Sequence, residues 1–587
     1  MRSAGTRRSW LAASIAAGVA SILIAVSGGF AVSVGGVRVS ARSWHLSAAA
    51  AGVAGLGWLW TASRSRAIGA DVDALGAFLE TRGRSLALGV ATLAVITALA
   101  FSSYSASGAD ASGYLSQAAM WSQLTTRFAD PIVALPNWPL APGDTAPLGW
   151  TPALVRGWQV PTYAPGLPWL MALPHALAGT TGAVLVVVLS TGVAVWATGA
   201  LAWRLGGGVA ALIAATLVAT SPTFLYHAFQ PMSDVPGTAA WIVCWLQVAR
   251  AAPASSGLAA AVATLIRPNL APLAAVPWLA ITLAGDRAGL PARAVRFALP
   301  VTAAGLVIAL LQWHWYGSPL RSGYGSAGEL FTLSNLGPNG RLYASWLWNA
   351  ERAFVLLSGV ASVCAAISAG GRTRRRPASE AGHSREQRVR LVVGLVCFSI
   401  GVAMAYFVYA VFDVWSYLRF LLPAMAVSAA LIGAAIARAL RIPGAAWAGA
   451  AALVLVVVAS AIALQTTRRL GVFEVAAATA RARDAGGQLA RRLPAHAVLL
   501  AGEQSGSMRY ATGRPVVRWE TLDADSLRAA LAVLAAEGLE AWWVLDQFEE
   551  ARVRARFPGV PEAALDWPPE VEAGPLMRTR AWRIGAH

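Results

Sequence analysis

The chain contains no lysine; its 46 basic residues are all arginine. Charge of either sign is scarce, with 13% of the 587 residues charged where soluble domains run at about a quarter. Acids are scarcer still, at 28 Asp and Glu, so the net charge is +18. So little charge beside 57% hydrophobic residues excludes an ordinary soluble globular protein. Cysteine is nearly absent, and Cys244, Cys364 and Cys397 all fall within apolar stretches. That placement excludes a disulfide framework and a thiolate metal site. There is no internal repeat at solenoid periods. The excess of arginine does not signal nucleic acid, because the arginines sit in short loops between apolar runs, where they orient helices. The all-Arg usage is read as genome base composition.

What is present is a series of apolar runs of about 17–25 residues, the length needed to cross a bilayer. The runs predict an all-α polytopic membrane protein of about thirteen helices, near 10–35, 46–62, 86–104, 181–203, 209–226, 234–250, 256–266, 270–284, 295–315, 350–370, 391–411, 417–438 and 444–465. The short pair 256–266 and 270–284 suits a half-membrane hairpin. The basic start "MRSAGTRRSW" with its apolar run resembles a secretory signal. The run outlasts signal length and a second follows at once, so a retained first helix is expected. Arg7, Arg8, Arg64, Arg66, Arg82, Arg84, Arg204, Arg250, Arg287, Arg293, Arg296, Arg438, Arg441 and the loop 371–390 fall on alternate loops. That alternation puts the N-terminus inside; the run 372–376 could also meet lipid head groups. The opposite face then holds the long loop 105–180, the turn 227–233, the loop 316–349 and everything after about 466. The chain divides into a two-helix addition with its linker (1–85), a membrane core (86–465) and a C-terminal region (466–587). In the last, β-like runs at 497–501, 515–519 and 541–546 alternate with amphipathic helices at 524–537 and 547–556, the pattern of a small α/β domain. Asp523 or Asp525 can cap its first helix. It shows no phosphate loop, metal cluster or nucleophile elbow.

Most acids close to the membrane fall on the outward side: Asp110, Asp130, Asp144, Asp234, Glu329 and Asp413. The loop 105–180 is too long to be structureless unless it is functional, and its Trp and Tyr content suits the bilayer interface. In a helix starting near Ala109, Asp110 and Tyr114 lie four apart on one face, with Gly113 and Ala118 keeping the surface beside them small. Asp110 reads either as a helix cap or as a base. Tyr114 reads either as an interfacial aromatic or as a substrate contact. In "YHAFQPMSDVPGTAAW" (226–241), Ser233 or Asp234 can cap the helix beside Pro236, or Asp234 can do chemistry. Arg267 in "LIRPN" and Arg419 in "WSYLRFLLPA" stand at the outer ends of apolar helices. There a charge snorkels, pairs, or meets an anion. "YGSPLRSGYGSAGELF" adds Arg321 and Tyr324. Guanidinium binds phosphate through paired hydrogen bonds, and a carboxylate accepts the proton of an attacking nucleophile. Together they would suit sugar transfer from a lipid phosphate with inversion.

The ordered set "D…GY…A", "VPTYAPGLP", "QPMSDVP", "LIRPN", "YGSPLRSGYG" and "YLRFLLPA" resembles bacterial GT-C glycosyltransferases of the protein-mannosyltransferase and aminoarabinose-transferase-like group, over most of 86–465. The resemblance implies a plasma-membrane enzyme using a polyprenyl-phosphate sugar donor and a glycan, lipid or protein acceptor. It implies an essential acid at Asp110 and a later one at Asp234. Donor and acceptor contacts are expected from Tyr114, Tyr163, Arg267, Asn269, Arg321, Tyr324, Asp413, Tyr417 and Arg419. Some members hold a divalent metal near these acids, which makes Asp110, Asp234, His227 and His314 candidate ligands; a lone interfacial His is the plainer reading. The competing classes are a secondary transporter, which places its binding groups near the bilayer midplane between repeated halves, and a non-catalytic membrane protein of envelope glycan assembly. Convergence of Asp110, Asp234, Arg267, Arg321 and Arg419 on one outward cavity separates the first class from the others.

Overall fold

The computed structural model describes residues 2–27, 30–34, 37–41, 44–64, 68–370, 385–442 and 446–585. Arg66 and the arginines of 372–376 lie outside the described residues. Among the described residues, six helices are long and apolar enough to cross a membrane, with shorter apolar helices at Pro253–Ile266 and Arg352–Ala366.

The helix expected at 86–104 runs from Ile68 to Phe101. Its polar first half is held by partners elsewhere in the chain. Arg7 pairs with Asp71 at 2.5 Å, and Arg441 pairs with Glu80 at 2.9 Å while donating to the Gly206 carbonyl at 2.6 Å. Its apolar half buries Ala87, Ala91, Ala94 and Ala98, one every three or four residues. A stripe of small side chains lets helices approach closely where lipid supplies no hydrophobic drive for their association. The helix packed against it, Gly166–Thr220, is interrupted at Ala178–Gly179 and again at Gly206–Gly207. Those breaks delimit the run expected at 181–203. The first apolar run stops at Ser27 rather than 35, and strands Phe30–Val34 and Val37–Ala41 pair antiparallel after it. Their alternating valines suit a pleated strand.

The region 105–180 is ordered. It contains a helix, Gly108–Ser122, and a small antiparallel sheet in which Trp158–Pro161 lies between Phe128–Ala129 and Trp150–Pro152. The long apolar helix already begins at Gly166 within it.

The C-terminal sheet has the order Val571–Ala573, Thr579–Arg583, Glu540–Asp546, Ala497–Ala501, Val516–Arg518. Its last three strands are parallel, and Thr579–Arg583 runs antiparallel to both of its neighbours. Asp523 caps the Ala524–Ala536 helix, accepting from the Ser526 amide at 2.8 Å. The strands Val571–Ala573 and Thr579–Arg583 and the Ser505–Thr512 helix carry no long periodic run and escaped the sequence reading. This domain docks on the end of the bundle that carries the Gly108–Ser122 helix. Ser105 donates to the Thr479 carbonyl at 3.0 Å, the Leu148 amide to Ser505 Oγ at 3.1 Å, and the Arg518 amide to the Asp144 carbonyl at 2.7 Å.

Candidate functional site

The Gly108–Ser122 helix enters from Gly108, whose φ of +75° lies in the left-handed region that favours glycine. Gly113, one turn in, meets Gly149 and the Tyr163 ring; a Cβ there would stand 2.1 Å from Tyr163 Cε2. The small residue anticipated here therefore serves the seating of Tyr163 rather than direct access by a substrate. Ala118 likewise is fully buried in the packing around Leu115 and Leu167.

Asp110 does not cap this helix. The N-cap is Ser107, and Asp110 stands in the first turn with its carboxylate turned to Arg419, Oδ2 to Nη1 at 2.6 Å. Ser233 occupies the N-cap position of the Asp234–Val248 helix, but its side chain makes no capping hydrogen bond, and Asp234 stands in the first turn. Asp234 is buried with its Oδ1 2.8 Å from Arg267 Nη2 and 3.9 Å from Arg419 Nε. Two carboxylates and two guanidiniums thus form a chain, Asp110–Arg419–Asp234–Arg267, drawn from four segments of sequence.

Local chemistry places each member. Pro268 disfavours helix at the residue before it, so the Pro253–Ile266 helix ends at Arg267, from which a 3-10 segment, Pro268–Ala274, departs. Arg419 stands in the 3-10 segment Trp415–Leu421 that leads into the Leu422–Ala439 helix. Both guanidiniums lie over the Phe420 ring, each 5.3 Å from its centroid, and Arg419 also lies 4.7 Å from that of Tyr417. Cation–π contact holds such charges in place where water is scarce. Phe420 in turn stacks on Tyr406 at 4.4 Å, and the Tyr406 hydroxyl accepts from Asn269 Nδ2 at 2.8 Å.

A cavity of about 220 Å³ opens onto this chain. Asp110, Tyr114, Tyr163, Arg267, Asn269, Tyr324, Tyr417 and Arg419 all line it. Asp234 stands immediately behind its wall, reached through Arg267. Tyr114 donates to Ser233 Oγ at 2.8 Å and packs on Tyr163, which meets Tyr324 edge-on. Burial first, and the Asp110 carboxylate second, push the phenols of Tyr114 and Tyr163 well above their ordinary range. Both stay protonated and offer hydrogen bonds.

Two expected members stand apart. Arg321 is exposed on the hairpin Arg321–Ser326 and is not in the wall, although Ser322, Gly323 and Tyr324 are. Arg321 stands at the open end of the hairpin, paired with Ser326, whereas Tyr324 is in its turn, and it is the turn that reaches the cavity. Asp413 is also exposed, while its neighbour Phe412 lines the cavity and stacks on Tyr417 at 3.9 Å. The sequence reading missed Ser233 as the partner of Tyr114, and Phe420 as the ring beneath both arginines. The aromatic density of 406–420 was the available signal.

These residues do not fit a divalent metal. His227 is buried, with Nε2 2.9 Å from the Ser416 carbonyl oxygen and Nδ1 3.9 Å from Asp234 Oδ2. His314 is exposed and outside the wall. Both carboxylates already face guanidinium. Among the described residues no three His, Cys, Asp or Glu side chains are grouped to hold an ion.

No protein-family model and no curated protein matches the chain. Solved structures do. ArnT from Cupriavidus metallidurans bound to undecaprenyl phosphate is similar over 85% of this chain and 97% of its own, at 13% identity and a TM-score of 0.50. The Archaeoglobus fulgidus oligosaccharyltransferase tethered with an acceptor peptide is similar over 79% of this chain and 69% of its own, at 12% identity and a TM-score of 0.51. The chain therefore has the fold of the GT-C membrane glycosyltransferases, as the resemblance of its motifs implied.

Proposed function

We propose that this protein is an integral-membrane glycosyltransferase that moves a sugar from a polyprenyl-phosphate donor to an acceptor, with inversion at the sugar carbon. The observation that carries the reading is the chain Asp110–Arg419–Asp234–Arg267 opening onto an aromatic cavity. The undecaprenyl phosphate bound by the structurally similar ArnT supports a lipid phosphate as leaving group.

Asp110 takes the proton of the attacking acceptor as the acceptor's bond to the sugar carbon forms. The bond from that carbon to the phosphate oxygen breaks, and the lipid phosphate leaves with its electron pair. Arg419 and Arg267 stabilise the charge that develops on it, while Asp234 holds both guanidiniums in position. Tyr114 and Tyr163 donate hydrogen bonds, and the aromatic wall supplies faces for a sugar ring. Base and leaving group lie on opposite sides of the sugar, which inverts the centre.

In this reading the N-terminus is cytoplasmic and about thirteen helices span the plasma membrane. The two-helix addition (1–85) precedes the catalytic core (86–465), and the domain 466–587 stands outside against the Gly108–Ser122 helix. The test is turnover of a polyprenyl-phosphate sugar in liposomes, wild type against Asp110→Asn. Equal rates would remove Asp110 as the base. No turnover by the wild type across polyprenyl-phosphate donors would remove the reading.

A further inference from the structure

We propose that Arg267 and Arg419 together take the place that a divalent cation would hold between the two acids, so that the chemistry of this site is independent of metal. The inference rests on the transferase reading above and concerns the same cavity. A divalent ion needs oxygen or nitrogen ligands free to turn towards it. Here Asp110 is engaged by Arg419 at 2.6 Å and Asp234 by Arg267 at 2.8 Å. Arg419 Nε also approaches Asp234, at 3.9 Å. His227 Nε2 lies against a backbone carbonyl oxygen, and among the described residues no third His, Cys, Asp or Glu joins the two acids in a group that could hold an ion. An ion entering between the acids would bring two positive charges beside two buried guanidiniums, an arrangement low-dielectric surroundings penalise strongly.

The guanidiniums can also do what the ion would do. Each has five N–H donors, and the acids use only some of them. Arg419 Nε is buried and has no hydrogen-bond partner. Phosphate oxygens arriving in the cavity find donors already oriented by the carboxylates behind and by Phe420 beneath. The two acids balance the two arginines, so these four side chains together carry no net charge.

Two measurements test this on the full-length protein in nanodiscs. The first titrates Mn²⁺ alone into wild type and into Asp110→Asn and Asp234→Asn, reading free Mn²⁺ by electron paramagnetic resonance. The expected result is no binding to the wild type that either substitution abolishes. The second compares turnover with excess EDTA and with added Mn²⁺ or Mg²⁺, and the rates are expected to agree within twofold. Stoichiometric Mn²⁺ binding lost in either variant, or turnover abolished by EDTA and restored by metal, would overturn the proposal. Absence of turnover under both conditions counts against the transferase reading, and the Mn²⁺ titration then decides the metal question on its own.

Discussion

Asp110 and Arg419, 309 positions apart in sequence, meet at 2.6 Å in the wall of the cavity. The contact joins a helix in the first long loop to the segment that opens one of the last apolar helices. It turns two isolated charges in an apolar chain into one neutralised unit. Removing one partner of such a pair costs more than removing both, because the survivor is left desolvated and unpaired. Arg419→Ala is expected to destabilise the protein by about 3 kcal/mol or more. Asp110→Asn, which can still accept from Arg419, is expected to cost much less. Thermal unfolding in detergent of the two single variants and of the double variant checks this. The double variant should fall short of the sum of the singles.

Asp110→Asn should nonetheless lose activity. A positioned base contributes about 10²- to 10⁴-fold, so turnover is expected to fall by that order with donor affinity nearly unchanged. Single-turnover rates measured beside donor binding separate the two quantities.

Gly113 and Tyr163 form a second sensitive pair. An added Cβ would overlap the Tyr163 ring, and the Gly149 Cα lies 3.0 Å from the same point. Gly113→Ala is expected to cost about 1–3 kcal/mol, the usual range for overpacking, and to lower turnover by displacing Tyr163 from the cavity wall. In a Tyr163→Leu background the stability cost of Gly113→Ala should shrink, because the atoms that clash are gone. Unfolding midpoints of the four proteins in this cycle test it.

The C-terminal domain reaches the loop 105–180 through Gly506, where a Cβ would lie 2.3 Å from both the Leu148 carbonyl oxygen and Ser112 Oγ. Ser112 stands on the same helix as Asp110. Gly506→Ala is therefore expected to loosen the docking and slow transfer although no residue of the cavity changes. Faster tryptic cleavage within the Val475–Arg492 helix, alongside reduced turnover, would report it. Unchanged cleavage and rate would mean that the interface absorbs the methyl.

Glu549 gives the domain a dependence on pH. Burial pushes its carboxyl up to about 7, against the hydrogen bonds it accepts from the Asp546 and Glu503 amides and aided by the nearby Asp546. A carboxyl raised on folding keeps its proton in the native state while the unfolded chain has already lost it. Its contribution to stability is therefore fully present below the unfolded value of about 4.3. It falls as pH rises towards 7 and levels off above that, a loss on the order of 3 kcal/mol. Unfolding midpoints of the full chain at pH 5 and pH 8 should differ less in Glu549→Gln than in the wild type.

Much of this was legible in one dimension. The apolar runs marked where the long helices stand, and the parallel strands of the C-terminal domain fell where short β-like runs between amphipathic helices placed them. Asp110, Tyr114, Tyr163, Arg267, Asn269, Tyr324, Tyr417 and Arg419 were singled out by type and position, and all line one cavity. Arg321 and Asp413 carried the same kind of signal and lie outside the wall, because motif proximity does not say which way a side chain turns. The polar half of the Ile68–Phe101 helix was invisible to hydropathy; its order comes from partners such as Arg441, far along the chain.

By itself the sequence determined the solvent this protein folds in. A chain with so few charges and such long apolar runs must bury its backbone polar groups in helices, and lipid is where such helices rest. It also determined which scarce acids and arginines were available for chemistry. Only the tertiary structure decided how they pair: Asp110 with Arg419 and Asp234 with Arg267, neither acid capping its own helix. A cap is a local hydrogen bond that any short peptide can make. The ion pairs need four distant segments packed together, and it is their common burial that makes pairing cheaper than leaving either charge alone.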